Sequence, residues 1–173
     1  YISAIAVAVG FKMGLFNIGV EGQYLMGSLI AAYIGAQFSV ITPLHILFII
    51  IVAVVTSSLW AAIAGYLKVE KGIHEVISTI MLNYIGTGLI AYSLTTIFDE
   101  PNSNYDLPRT KELPETGKMP PLNKFFNIED LQDLHGFLII AILVGIFYYW
   151  LVWKTTLGFD LRITGSNPIA AKF

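Results

Sequence analysis

Long apolar runs alternate with short polar segments along this chain. Four runs contain no Lys, Arg, Asp or Glu and span 18 to 24 residues each: 24–41, 44–67, 76–98 and 136–153. An α-helix rises about 1.5 Å per residue and the hydrocarbon core of a bilayer is about 30 Å thick, so about 20 apolar residues cross it. The pattern therefore predicts four transmembrane helices, with residues 1–11 as the end of a fifth.

Polar segments separate these predicted helices. Residues 68–75 form a tight connection that we expect to break at Gly72. Before the 44–67 run, Thr42 can cap the helix and Pro43 fits its first position, where a missing N–H loses no hydrogen bond. Residues 99–135 form one long loop, and prolines exclude regular helix from its first part. In its second part Asn127 can cap a surface helix whose apolar side chains recur at helical spacing: Phe125, Ile128, Leu131 and Leu134.

Small residues recur four positions apart at three places, as they do where membrane helices pack closely. The three sets are Gly27, Ala31 and Gly35; Ser57, Ala61 and Gly65; and Gly10 and Gly14. We therefore expect an all-α fold: a polytopic bundle of transmembrane helices forming a single domain over residues 1–173, with residues 99–135 as a long outer loop.

Composition supports a membrane protein. Hydrophobic residues make up 55% of the chain and charged residues 13%, whereas a soluble domain usually carries about 25% charged residues. A net charge of -2 without a clustered basic face argues against a nucleic-acid partner. The absence of cysteine excludes disulfides and thiolate metal sites. Because the first residue, Tyr1, lies inside an apolar run and is not Met, we expect an internal fragment of a longer protein.

The basic residues predict an orientation. If residues 99–135 lie outside, alternation of the helices places six basic residues inside: Lys12, Lys68, Lys71, Lys154, Arg162 and Lys172. The short outer turn at residues 42–43 then carries no basic residue, which is the positive-inside pattern. We expect residues 154–173 to be cytoplasmic, and Asn167 can cap a short helix there that starts at Pro168.

Residues 14–23, Gly-Leu-Phe-Asn-Ile-Gly-Val-Glu-Gly-Gln, separate two apolar runs. Four glycines in ten residues disfavour a continuous helix, since each interior Gly costs about 1 kcal/mol relative to Ala. A broken helix in a membrane can expose backbone groups to a polar cavity and form a transport site, which would use Asn17, Glu21 and Gln23. The alternative is a cytoplasmic turn in which Glu21 is solvated. The spacing alone leaves both interpretations open.

A polar stripe runs along the 76–98 helix. It consists of Ser78, Thr79, Asn83 and Thr87, whose spacing places them on one face. This face either lines a polar path or makes ordinary structural bonds, with the hydroxyls bonding their own backbone and Asn83 bonding a neighbouring helix. Glu75, just before the run, favours the helix N-terminus through the helix dipole.

No enzyme signature is present in the sequence. His45, His74 and His135 are scattered without metal-ligand spacing, and no nucleophile elbow, paired carboxylates or phosphate-binding loop occurs. In particular the chain has no Walker motif. If ATP drives this protein, another chain must bind it.

Three separated stretches carry a family resemblance: residues 16–23, 75–84 and 156–171. In this order they resemble permeases of the branched-chain amino acid/ribose/nucleoside class of ABC importers, and most of all the nucleoside-type permeases. The resemblance extends from Gly14 to the C-terminus and includes the proline-rich outer loop. It implies a bacterial plasma-membrane protein without a cofactor that transports a small polar solute. A nucleoside is the first expectation, followed by a branched-chain amino acid or a sugar.

The resemblance also implies partners and site residues. The partners are ABC ATPase subunits that hydrolyse the ATP, a second permease chain that is identical or paralogous, and an extracytoplasmic substrate-binding lipoprotein. The substrate path would include Phe16, Asn17, Glu21, Gln23 and Asn83. The cytoplasmic coupling segment, which docks on the ATPase, would include Gly158, Arg162, Gly165, Asn167, Pro168, Ala170 and Ala171. One departure is Ile169, where an acidic or polar residue is expected, so an acidic contact with the ATPase is weakened.

Two rival functions fit less of the sequence. An ATP-independent secondary transporter or channel would need an intramembrane carboxylate for its coupling ion, and Glu21 is the only candidate. A membrane-embedded enzyme lacks a catalytic set.

Overall fold

A computed structural model describes residues 1–98, 107–122 and 135–167. Within these ranges the fold is all-α, as predicted. It contains six α-helices and one 3-10 turn: α1 (Ile2–Lys12), α2 (Val20–Gly35), α3 (Thr42–Lys71), α4 (Glu75–Thr96), the turn Glu115–Gly117, α5 (Phe137–Lys154) and α6 (Thr156–Ser166). Pro121 and His135 form an isolated antiparallel bridge.

The chain divides into two compact units. The first consists of Tyr1–Asn17 and Met119–Phe173 and contains α1, α5 and α6. The second is Ile18–Lys118, in which α2, α3 and α4 pack together with the 3-10 turn. The division between the units falls inside the glycine-rich stretch 14–23.

Among the helices of the described residues, three are long and apolar enough to cross a membrane: α3, α4 and α5. They confirm the spans predicted at 44–67, 76–98 and 136–153. With 30 residues, α3 is about 45 Å long. Most large apolar side chains of α3 and α5 are exposed. Exposing such a large apolar surface to water is unfavourable. These faces therefore contact lipid or other membrane helices.

The span predicted at 24–41 is wrong in its bounds. The helix there, α2, starts earlier at Val20 and ends at Gly35, so residues 36–41 lie outside it. Its 16 residues cover about 24 Å, less than the hydrocarbon core. At the end of this helix, the carbonyl oxygen of Gly35 lies within hydrogen-bonding distance of the His45 ring, 3.0 Å from Nε2.

The predicted breaks between helices are mostly confirmed. Gly72 ends α3 in the left-handed conformation, at φ 66°. Residues 13–19 are not helical, so the glycine-rich stretch does interrupt the helical structure between α1 and α2. The predicted Thr42 cap is wrong: Ile41 occupies the cap position, no side chain caps α3, and Thr42 is already helical. Pro43 lies in the first turn as predicted.

Each of the three small-residue sets has a member in close contact. A Cβ on Gly27 would overlap the Ser57 hydroxyl and lie 3.1 Å from the Ala53 carbonyl oxygen, so α2 and α3 approach closely here. The Gly10 and Gly14 set packs within the first unit. The prediction is wrong for Gly65, because a Cβ there would meet no atom within 4 Å.

Two sequence-based predictions lie outside the described residues. One is the surface helix capped by Asn127 in the second part of the outer loop. The other is the helix predicted to start at Pro168, which includes Ala170 and Ala171. In the described part of the proline-rich segment, 107–122, the 3-10 turn is the only helical element, as expected from its prolines.

Candidate transport and coupling sites

Asn83 holds the start of α2 from the middle of α4. Its side-chain oxygen accepts a hydrogen bond from the Gly22 N–H at 2.9 Å, and its Nδ2 donates to the Ile18 carbonyl at 3.0 Å. Gly22 is the third residue of α2, so its N–H is one of the four that a helix cannot satisfy itself. Asn83 therefore acts as a cap supplied by another helix, and it fixes the backbone where the chain re-enters α2.

The hydroxyls on the same face of α4 bond their own helix. Ser78 and Thr79 donate to the Glu75 carbonyl at 3.1 and 2.7 Å, and Thr87 donates to the Asn83 carbonyl at 3.0 Å. This is the usual arrangement of Ser and Thr within helices. The three hydroxyls thus make ordinary structural bonds within their own helix. Asn83 is the residue of the polar stripe that bonds to the chain at Ile18 and Gly22.

Close packing surrounds the hydrogen bond between Asn83 and Gly22. A Cβ on Gly22 would lie 2.8 Å from the Asn83 side-chain oxygen and 3.1 Å from Trp60 Nε1, so only glycine fits. Trp60, on α3, was not singled out from the sequence, because nothing in an apolar run distinguishes a tryptophan that faces a polar junction. Its buried Nε1 has no hydrogen-bond partner in the part of the chain that the structure describes.

The remaining predicted path residues are distributed over both units. Glu21 is exposed in the first turn of α2, where its negative charge interacts favourably with the positive end of the helix dipole. Gln23 is half-buried, and its backbone carbonyl accepts a bond from Ser57 at 2.8 Å. Phe16 and Asn17 belong to the first unit. There the Phe16 ring contacts the Phe11 ring edge to face, with centroids 5.3 Å apart.

Glu75 is a buried residue at the start of α4. Its carboxylate pairs with Lys68 of α3 and lies 3.5 Å from His74 Nδ1. His74 Nδ1 also accepts from the Val76 N–H at 3.4 Å and caps α4. The sequence placed Glu75 at this helix start correctly, and the structure adds the Lys68 partner that compensates its burial.

His45 joins three backbone segments of the second unit. It is fully buried at the start of α3. Its Nε2 lies 3.0 Å from the Gly35 carbonyl and its Nδ1 lies 2.8 Å from the Thr116 hydroxyl. A carbonyl only accepts, so Nε2 carries the proton and, in the neutral ring, Nδ1 accepts from Thr116. The scattered position of His45 in the sequence gave no sign of this role.

Charged residues cluster beside Thr116 in the same segment. The Lys118 ammonium group lies 2.9 Å from Glu112 and 2.7 Å from Glu115. These bonds raise the pKa of Lys118 above its ordinary value, and the Lys118 hydrogen bond holds the pKa of Glu112 below its usual range. Lys118 therefore remains protonated between the two carboxylates.

The predicted coupling segment contains a helix that the sequence reading missed. Helix α6 follows α5 after a single residue, Thr155. The Thr155 hydroxyl caps it by accepting from the Gly158 N–H at 3.0 Å, and it donates to the Leu151 carbonyl at 2.6 Å. The available signal was Thr155, a threonine directly before the first residue of the helix. A Cβ on Gly158 would overlap the end of α5, lying 2.5 Å from the Val152 carbonyl oxygen.

The end of α6 lies against the end of α1. The Arg162 guanidinium stacks over the Trp153 ring at 4.5 Å, and Lys12 Nζ lies 5.4 Å from the same ring. A Cβ on Gly165 would overlap the Lys12 carbonyl. Asn167 follows α6 in an extended conformation. The structure therefore gathers Gly158, Arg162 and Gly165 on one helix, whereas Pro168, Ala170 and Ala171 lie outside the described residues.

Comparison with known proteins decides the family. Residues 1–173 match the family described as "Branched-chain amino acid transport system / permease component". The chain belongs to this permease family. The family-level resemblance of the three sequence stretches is thereby confirmed.

Relatives of this permease chain include transporters of known description. It is 34% identical over 174 residues to the guanosine ABC transporter permease protein NupP of Bacillus subtilis, covering 99% of this chain and 48% of that protein. It is 31% identical to the nucleoside ABC transporter permease protein NupB of Lactococcus lactis, covering 99% and 48%. It is 28% identical to the glucose ABC transporter permease protein TsgB13 of Haloferax volcanii, covering 99% and 46%.

The permease chain thus spans about half the length of the curated relatives it matches. No solved structure matches it significantly. Family membership and the three candidate spans identify the chain as part of a membrane transport protein.

Proposed function

We propose that this chain forms part of the membrane-spanning subunit of an ABC importer for nucleosides in a bacterial plasma membrane. The observation that carries the proposal is the family match over the whole chain, together with two relatives described as guanosine and nucleoside permeases. A sugar is the second candidate substrate, because a glucose permease is also among the relatives.

The transport cycle requires other chains. ATP is hydrolysed in separate ABC ATPase subunits, a second permease chain completes the path, and an extracytoplasmic lipoprotein delivers the solute. The segment 154–173 docks on the ATPase. Two features of α6 support this role: a well-capped start at Thr155 and packing of both its glycines against neighbouring backbone. Movement of the ATPase would therefore displace α6 as a body.

The solute path passes the interrupted helix. The residues we propose for it are Phe16, Asn17, Glu21, Gln23 and Asn83, as the family resemblance implies. The non-helical backbone at 13–19 supports this role, since broken helices can offer backbone N–H and C=O groups to a solute. The buried Nε1 of Trp60, beside Gly22, adds one further polar group on the side of α2 that faces Asn83.

Affinity purification of the full-length protein from its native membrane tests the importer assignment. We expect an ABC ATPase to co-purify in mild detergent, and to be lost when residues 158–173 are scrambled. Asn167→Asp and Ala171→Glu should abolish uptake but not membrane insertion. A folded protein that purifies alone in several detergents would favour the ATP-independent transporter.

Uptake measurements identify the substrate class. Cells that express the full-length permease with its partner subunits should accumulate radiolabelled guanosine, and an ATPase-inactive partner should abolish this uptake. Excess unlabelled glucose should not compete. Competition by glucose instead of nucleosides would replace the nucleoside assignment with a sugar.

A further inference from the structure

Gly165 brings the backbone of α6 into direct contact with the end of α1. A Cβ at this position would overlap the Lys12 carbonyl oxygen and lie 2.9 Å from the carbonyl carbons of Lys12 and Met13. All three atoms belong to the backbone, so no side-chain rotation can make room. Only a glycine allows α6 to approach α1 this closely.

Gly14 lies on the other side of the same contact. Its φ of 68° is in the left-handed region, which side chains other than Gly rarely adopt. A Cβ there would lie 3.3 Å from the Gly165 carbonyl oxygen and 3.5 Å from its Cα. The turn after α1 and the last turn of α6 therefore touch backbone to backbone, one glycine being required for space and the other for conformation.

Two further contacts fix α6 within the first unit. At its start, the Thr155 cap and Gly158 hold it against the last turn of α5. Near its end, Arg162 stacks on the Trp153 ring, which also has Lys12 within 5.4 Å. Because α6 is fixed at both ends, it cannot tilt relative to α5 without moving α1 as well.

We propose that Gly14 and Gly165 form a rigid joint through which displacement of α6 moves the end of α1 and, with it, the adjoining residues up to Asn17. The joint rests on the proposed function, because the ATPase supplies the displacement. It gives the coupling segment a second route besides α5, leading directly to the non-helical stretch where Phe16 and Asn17 lie. Backbone contact suits this task, since close-packed atoms transmit displacement without the slack of a flexible side chain.

A graded set of glycine-to-alanine variants in the full-length permease, reconstituted with its partner subunits, tests the joint. The measured quantity is the number of nucleosides transported per ATP hydrolysed. Gly165→Ala, which overlaps backbone, should lower this ratio at least tenfold, and Gly14→Ala should lower it less. Gly65→Ala is the matched control, because it adds the same methyl group to a helix where nothing lies within 4 Å. It should leave the ratio unchanged.

The possible outcomes separate the joint from the importer assignment. If the wild-type protein shows no ATP-dependent uptake, the proposed function fails and the joint fails with it. If the wild type transports and Gly165→Ala transports equally well per ATP, the joint alone is overturned. Parallel loss of hydrolysis and uptake in both variants would also overturn it, because both glycines would then serve folding or docking.

A distance measurement keeps the proposal testable if the variants do not fold. Spin labels at Phe11 and Ser166, both exposed, report the separation of the α1 and α6 ends in the otherwise wild-type complex. A rigid joint predicts the same separation without nucleotide and with trapped ATP. A change of several ångströms between the two states would show that α6 slides past α1.

Discussion

Replacing Asn83 with alanine removes both hydrogen bonds that hold the start of α2 from α4. The Gly22 N–H loses its acceptor at 2.9 Å and the Ile18 carbonyl loses its donor at 3.0 Å. Loss of a helix cap costs about 1 kcal/mol, and an unpaired buried polar group costs about 1–3 kcal/mol. Since Asn83 is only half-buried, the lower part of that range applies. We expect a loss of about 2–3 kcal/mol in unfolding free energy.

Thr87→Val supplies the control for this prediction. Thr87 lies one turn along the same face of α4, and its hydroxyl donates only to the Asn83 carbonyl of its own helix. That carbonyl belongs to the regular α-helix, so its loss of the extra bond costs little. We expect a change within about 0.5 kcal/mol, as for most substitutions that break no buried network.

Thermal unfolding of the purified full-length protein in one detergent compares the two variants. Asn83→Ala should lower the midpoint by roughly 4 °C, and Thr87→Val should leave it within about 1 °C. Equal shifts for the two would refute the reasoning, because the bridge to Gly22 and Ile18 would then contribute nothing beyond an ordinary side-chain bond within the helix.

Further substitutions test other contacts. Gly27→Ala should destabilise by about 1–3 kcal/mol through overlap with Ser57, and a double-mutant cycle with Ser57→Ala should recover part of the loss. His45→Phe should release the Thr116 segment, and faster trypsin cleavage at nearby lysines in intact protein measures it; an unchanged cleavage rate would contradict the anchoring. Glu21→Gln should lower uptake at least tenfold, because we propose that Glu21 lines the solute path; uptake within twofold of the wild type would show instead that the exposed Glu21 is a solvated turn residue.

The sequence was sufficient for the elements whose determinants are local. Run length predicted α3, α4 and α5, and glycine density predicted the interruption between α1 and α2. The end of α2 was not predictable in this way, since the apolar run continues to Ile41 while the helix stops at Gly35. At this end the Gly35 carbonyl contacts the His45 ring, ten residues away, and run length does not encode such a contact.

In the candidate site too, some features could be predicted from the sequence and others could not. Asn83 stood out as an amide on an apolar helix, and its role as a bond to a neighbouring helix was among the alternatives. Trp60 gave no signal, because tryptophan is ordinary in a membrane helix. Helix α6 was missed because its residues are too polar for a span, although the Thr155 cap marked its start.

The unequal lengths of α2 and α3 have a consequence for the surrounding lipid. These two helices pack against each other in one unit, yet the 16 residues of α2 cover about 24 Å and the uncharged run 44–67 of α3 covers about 36 Å. No single bilayer thickness matches both, so lipids next to α2 must thin while those along α3 stretch or the helix tilts. We therefore expect uptake in reconstituted vesicles to depend on acyl-chain length, with an optimum set by this pair of helices.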